Sequence, residues 1–563
     1  MQRKKFVFLT VLFILVLFSV TACDDSSDDN SNNGGSAQPQ PVAEVIINDN
    51  TLFALLPDKS LFSWGSNDEG QLGIGSNELV SEKPVYISGI TGIVKEVFSN
   101  SGSNYALMED NSLYAWGNNG YGRLGVGDTE NKNTPVKVNG IEGIIKHVYT
   151  DDHSAYTLLE DGTLYTWGWN HNGQLGVGSR AQHIDIPSKV TGINSPVKDI
   201  YTSNFSIYSI TEDGSLYVWG NNQQGILGTG DTADKRTPVK IESLDGKIIQ
   251  MHYGSIPTVF ALTENNTLYG WGDNQNSQLC LDSTVKYSEN PVKINGITGI
   301  IKEVYTDGSS IFVLTEDNTL YAWGYNYNGR LGLGLDDAEV NTPTKVNGIN
   351  GKIKKIYTSN FSFTYILTED NTLYTWGDNK YGIGTENTAA YINKPEIITG
   401  ITGNIKDIYI NGYATYALTD DNSLYVWGNN EYGLLGIGEA KNTYTPVKVT
   451  SINGIIKDIY TYDASIYTVT EDGALYTWGD NSFGQLGLGS AEEFIKTPAK
   501  VNINSSVSKV YTNHKYSIYV VTNDNAVYSF GYNELWVDVN TPSNCLLGRD
   551  GLNYEPHQIL FNK

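Results

Sequence analysis

The sequence predicts an all-β chain folded as a β-propeller of ten four-stranded units, each about 52 residues long. Three observations lead there. Trp-Gly recurs at Trp64, Trp116, Trp167, Trp219, Trp271, Trp323, Trp376, Trp427 and Trp478, with Phe530-Gly531 as a tenth copy, at spacings of 51 to 53 residues. A fixed period of this length signals a repeat architecture, and it overrides the several domains that 563 residues would otherwise suggest. Within each unit the apolar stretches are short, β-branched or aromatic, and bounded by Gly, Asn and Asp, so they read as strands. Four such strands per period are the content of one propeller blade.

Residues 302–346 serve as the type unit. Lys302 to Thr306 (KEVYT) forms a first strand, Ile311 to Thr315 a second, Leu320 to Gly324 a third and Thr342 to Val346 (TPTKV) a fourth. The second and third strands meet at Glu316-Asp317-Asn318, matched by Glu160-Asp161-Gly162 and Glu471-Asp472-Gly473. Asp-Gly and Asp-Asn tolerate the positive φ of a tight hairpin. Paired carboxylates in one place would suggest acid–base chemistry, but their return in nearly every unit makes them turn residues. The same reasoning covers the Asn two residues after each Trp-Gly glycine, such as Asn170, Asn326 and Asn481, expected to close a turn onto nearby backbone. The tryptophan has the size to fill the gap between neighbouring sheets.

Residues 1–22 carry Arg3, Lys4 and Lys5, then an apolar stretch from Phe6 to Val20, then Thr21-Ala22. This is a secretory signal, too short for a spanning helix. Val20-Thr21-Ala22-Cys23 resembles the lipobox of bacterial lipoproteins, which implies diacylglycerol on Cys23 and an extracytoplasmic protein in the cell envelope, on its periplasmic face or at the cell surface. A plain cleaved signal beside an incidental cysteine is the alternative. Residues 23–41 are polar and acidic and are expected to be a disordered tether, and residues 42–563 the repeat domain. The net charge of −25 opposes phosphate backbones, so nucleic acid is not an expected partner. Three cysteines (Cys23, Cys280, Cys545) are too few for a disulfide scaffold or a multi-thiolate zinc site.

The pattern LYxWGxNxxGxLGxG followed by TPxKV, clearest at residues 321–334 and 476–489, resembles the repeat of the regulator of chromosome condensation (RCC1) family. The resemblance runs from about Val42 to Leu560 and implies a β-propeller, usually of seven blades. Ten units leave three arrangements open: a larger ring, seven plus three, or an incompletely closed array. A single continuous body is the one favoured here. The family's shared theme is protein recognition on a rigid annular face. Its founding activity, nucleotide exchange on a nuclear GTPase, fits poorly with a secretory signal and an acidic surface. Fold transfers with the repeat; activity does not.

Function is expected where the units differ. Aromatics around the constant Asn give candidate binding residues Trp169 and His171, Tyr325 and Tyr327, and Phe483, because loop aromatics are common recognition anchors. Packing on the adjacent blade is the competing reading. A second variable set follows the first strand: His153, Phe205, Phe361, Tyr413 and His514. The seventh unit shortens its glycine loop to Tyr381-Gly382-Ile383-Gly384. The fifth has Cys280 in a glycine slot, and the tenth inserts residues 535–544 with Trp536, a binding loop or a cap. No P-loop, nucleophile elbow, metal-ligand spacing or cofactor motif is present in the sequence. The reading is therefore a non-enzymatic recognition scaffold, without a cofactor or metal, tied to the membrane by lipid on Cys23. Its partner is an unidentified protein or surface glycan. A carbohydrate-active enzyme on the same scaffold is the rival.

Overall fold

The computed structural model describes residues 44–48, 51–253, 257–359, 363–512, 516–532 and 552–561, all within one compact unit, Pro39–Lys563. Cys23, expected to carry lipid, the segment 23–41 expected as a tether, Phe361, His514, Trp536 and Cys545 lie outside the described residues. Ten four-stranded antiparallel sheets follow one another, each built from strands consecutive in sequence. The type unit gives Ile301–Thr306, Ser310–Thr315, Leu320–Tyr325 and Glu339–Lys345, in that order across the sheet.

Each position in the sheet has a composition that fits its place. The second strand is buried along its whole length, as in SIFVLT at 310–315, because both faces of a blade pack against neighbouring blades. The fourth strand is largely exposed or half-exposed and carries the Pro of TPxKV, which an outer edge tolerates. First strands of successive sheets touch one another, Glu44–Asn48 against Val94–Asn100 and Val94–Asn100 against Ile145–Thr150, so they line the axis. Their register shifts near the start, as between Ile301 and Glu303, a bulge that leaves one residue unpaired and increases the local twist.

The ring is single and closed. Val45, Leu52, Phe62 and Trp64 of the first sheet share a core with Tyr519, Val521, Val527 and Phe561 of the tenth. Phe62 and Trp64 meet Phe561 edge-on at 5.5 and 5.8 Å. Among the described residues no strand is exchanged between the first and last sheets, so closure there rests on side-chain packing. Ten blades in one ring resolve the arrangement that the repeat count left open.

The tryptophans do what their size suggested and one thing more. Eight of them are wholly buried between sheets. Each indole also donates to the preceding sheet: Trp116 Nε1 to Gln71 O (3.0 Å), Trp219 to Gln174 O (2.9 Å), Trp271 to Ile226 O (2.8 Å) and Trp478 to Leu434 O (2.8 Å). The glycine two residues after that carbonyl lets the indole in: a Cβ on Gly176 would sit 2.7 Å from Trp219 Nε1. The seventh sheet has lost the residue that supplies the carbonyl. There Trp427 Nε1 donates to Tyr365 Oη instead (2.9 Å), and Tyr365 Oη also meets Thr415 Oγ1 at 3.0 Å.

Candidate recognition face

Antiparallel strands place the loops between strands one and two, and between three and four, at the same end of every blade. The two loops are stitched together by backbone bonds, such as Trp169 N to His153 O and Tyr325 N to Ser309 O, both 3.0 Å. This end is the loop face; the Glu-Asp hairpins occupy the opposite, turn face. All the described candidate aromatics therefore lie on one face.

The constant Asn shapes the longer loop. Asn326 Oδ1 accepts from Leu331 N (3.0 Å), while its Nδ2 donates to Leu335 O and Asp337 O (3.2 and 2.8 Å). Asn170, Asn274 and Asn481 repeat this clip. The residue four places beyond the Asn goes with two loop shapes, Leu434 of the eighth blade being an exception that has neither Gln nor a 3₁₀ turn. Where it is Gln, its side chain accepts a loop N–H, as Gln174 does from Asn172 and Gln485 from Phe483. In the second, fourth and sixth sheets it is Arg123, Ile226 or Arg330, and a short 3₁₀ turn forms with Tyr121, Gln224 or Asn328 at positive φ.

The predicted residues fall into three separate groups. Trp169 is the hub of the largest: His171 stacks beside it (5.8 Å, 9°), Phe205 of the next blade meets it edge-on (4.7 Å, 80°), and His153 lies at 5.4 Å. Tyr121 of the preceding blade completes the group, 5.8 Å from His153 and 6.1 Å from Trp169, and is 47% exposed. Tyr325 and Tyr327 stack at 6.3 Å, with Arg330 over Tyr325 and paired with Asp307; Tyr327 is 59% exposed. Phe483 stacks on Tyr516 of the tenth blade at 4.4 Å and meets Tyr532 at 5.5 Å. Tyr413 packs on Tyr381 at 4.7 Å. Sequence reasoning passed over Tyr121 and Tyr516. Tyr121 stands two residues after its Asn, in the same column as Phe483, so comparing units column by column would have found it.

Trp169 occupies a polar slot. In the fifth and ninth sheets its place is taken by Asp273 and Asp480, whose carboxylates accept from Gln278 Nε2 (2.9 Å) and Gln485 Nε2 (3.0 Å). In the third sheet Gln174 is fully buried and its Nε2 has no partner. His153 Nδ1 is likewise buried and unpaired. Unmet buried polar atoms cost about 1–3 kcal/mol each, so these two count against the folding of this sector.

The axial strands carry a second recurring set. Tyr149, Tyr201, Tyr460 and Tyr511 hold the same register position, and burial pushes each phenol up to about 12, aided by nearby carboxylates. His252 takes this place in the fifth sheet, where burial pushes it down to about 4. Cys280 sits in its glycine slot at φ 58, and burial pushes its thiol up to about 12, away from reactivity. Among the described residues no group of three or more His, Cys, Asp or Glu is placed to hold a metal, and no helix is long and apolar enough to cross a membrane.

Comparison with known proteins agrees with the architecture. The family profile described as RCC1-like domain matches residues 246–559, and that of the regulator of chromosome condensation (RCC1) repeat matches 58–105, 110–156, 161–205 and 213–260. The chain is 31% identical to the ultraviolet-B receptor UVR8 of Arabidopsis thaliana over 54% of its own length and 69% of the receptor's. It is 30% identical to the E3 ubiquitin-protein ligase HERC2 of Homo sapiens over 61% of its length, but spans only 7% of that ligase. Among solved structures, human WBSCR16 is 21% identical, covers 62% of this chain and 96% of its own, and has a TM-score of 0.39. Prp20p of Saccharomyces cerevisiae is 18% identical, covers 84% and 90%, and has a TM-score of 0.33. The chain belongs to the family of regulator of chromosome condensation (RCC1) repeat proteins.

Proposed function

We propose that this protein is a recognition scaffold, tied to a bacterial membrane by lipid on Cys23, whose loop face binds an unidentified protein or surface glycan and performs no chemistry on it. The observation that carries this reading is the group around Trp169, where five aromatic rings from three blades share one surface. Aromatics of this kind give large contact area at small entropic cost. The ligase activity in one relative's name belongs to a protein of which this chain spans a small fraction, and it is not carried over.

The enzyme alternative needs a unique carboxylate cluster near the axis. The axial carboxylates Glu96, Asp199, Glu303, Asp407 and Asp458 instead stand at one register position in five different blades, a position that Lys355 and Lys509 hold in two others, which favours a structural role. The address is tested by metabolic lipid labelling with surface protease shaving of intact cells. Label lost on Cys23→Ser is expected; a wild-type protein without label would refute the anchor. The binding role is tested by cross-linking in cells. The triple variant Trp169→Ala, Tyr325→Ala, Phe483→Ala is expected to stay folded and lose the adducts of the wild type. Adducts that survive would sink the site.

A further inference from the structure

We propose that the cleft beside Trp169 binds a neutral carbohydrate, an inference that rests on the loop face being the recognition surface. The cleft, about 450 Å³, runs from the third blade across the fourth to the fifth. Small-molecule sites span about 300–1,000 Å³. Its polar walls are five amides, Asn172, Asn204, Asn221, Gln223 and Gln224, and His171, with Phe205 as a second ring and no Asp, Glu, Lys or Arg among the lining side chains. Corresponding loop positions hold Asp68 and Glu69, Lys380, or Glu431 in the first, seventh and eighth blades, and are uncharged in the second, fifth, sixth and ninth as they are here. The side chains of Asn204, Gln223 and Gln224 have no hydrogen-bond partner among the described residues. Each amide offers donors and an acceptor together, the match for vicinal hydroxyls, while an aromatic face takes the C–H face of a pyranose. His171 is the one ionisable side chain in the lining, and the neighbouring Arg236 and Asp234 are already bonded to His171 O and Asn172 Nδ2 (both 3.0 Å), so an ionic ligand would find little free counter-charge.

The cleft is also held against the preferences of its own backbone. Asn204 and Phe205 form a two-residue hairpin turn between Ser203 and Ser206, with φ of 48 and 64. The same turn in the second blade is Ser101-Gly102, at φ 46 and 76. Glycine suits the second place; a phenylalanine there is strained by about 1–2 kcal/mol. Next to it, Trp169 displaces the carboxylate that would satisfy Gln174. Phe205 in the lining and Trp169 packed against it both disfavour folding, and mark a place where shape for a ligand has been kept over stability.

Titration calorimetry of the full chain, in a sugar-free zwitterionic detergent, against cellohexaose, chitohexaose and mannohexaose tests this, with hexagalacturonate as the acidic control. At least one neutral oligosaccharide is expected to bind in the micromolar to millimolar range and the acidic one not. Phe205→Gly is expected to weaken binding by about tenfold, the value of one aromatic contact, without lowering the Tm. The double variant Gln223→Ala, Gln224→Ala is expected to weaken it similarly. No heat from any neutral sugar at about 10 mM, preference for hexagalacturonate, or unchanged binding in both variants would overturn the proposal. Should sugars fail while cellular adducts still depend on Trp169, the carbohydrate inference falls and the recognition role stands.

Discussion

Single residues show how the repeat absorbs its own exceptions. The seventh blade lacks the residue whose carbonyl receives an indole in the others, and Tyr365 supplies the acceptor. Tyr416, one blade on, instead donates to Leu434 O (2.7 Å), a carbonyl that Trp478 also reaches. Tyr365→Phe leaves a buried indole N–H unpaired and is expected to cost about 2 kcal/mol; Tyr416→Phe leaves the carbonyl served and is expected to cost about 1 kcal/mol or less. Equal losses in urea denaturation would contradict this account of the deletion. Cys280→Gly relieves a left-handed side chain and is expected to stabilise by about 1 kcal/mol, read the same way. Trp169→Asp restores an acceptor for Gln174 and is expected to leave the protein about 1–2 kcal/mol more stable than Trp169→Ala; the reverse order would show that Gln174 is satisfied otherwise. None of these pairings was legible in the sequence. Trp169 was visible as an exception, but the donor it strands became visible only when Gln278 and Gln485 were found bonded to aspartates.

At the scale of strands and loops, more could be read beforehand. Ten copies of one spacing gave the strands, the hairpin turns and the clip made by residues such as Asn326, because recurrence separates fold from function within one chain. Asn326→Ala removes three hydrogen bonds of the loop and is expected to cost about 3 kcal/mol, with the third and fourth strands of that blade losing amide-exchange protection first. The axial strands add a pH dependence. His252 has its folded pKa depressed to about 4 from 6.5, so its neutral form contributes stability that is present above pH 6.5 and lost as pH falls toward 4. Between pH 7 and 5 this amounts to about 2 kcal/mol, and chemical denaturation of His252→Phe is expected to lack that loss. The axial tyrosines act in the other direction. Their raised pKa values give stability that is complete below pH 10 and lost as pH rises through about 12. The Gln-braced shape of the longer loop was legible in principle, from Gln four places after the Asn, but Leu434 of the eighth blade, with neither Gln nor a 3₁₀ turn, shows that its absence does not fix the other shape.

For the molecule as a whole, the count of units could be read and their closure could not. Closure depends on a small rotation per blade summed ten times, and on Phe561 and Tyr519 meeting Trp64 across more than 450 residues of sequence. With no strand exchanged among the described residues, the first and tenth blades are joined by this contact, and Phe561→Ala is expected to cost about 3–5 kcal/mol as a large-to-small core substitution. The gathering of aromatics from three blades onto one sector is likewise a property of the ring. Tyr121 and Phe205 are 84 residues apart in sequence yet belong to one cluster through His153 and Trp169. A photo-reactive phenylalanine placed in turn at His171 and Tyr327 on the loop face, and at Ile144 and Ile300 at the turn-face ends of two axial strands, tests the central claim most directly in intact cells. Adducts from His171 and Tyr327 alone are the predicted result. Adducts confined to Ile144 and Ile300 would mean that the molecule recognises its partner through the opposite end.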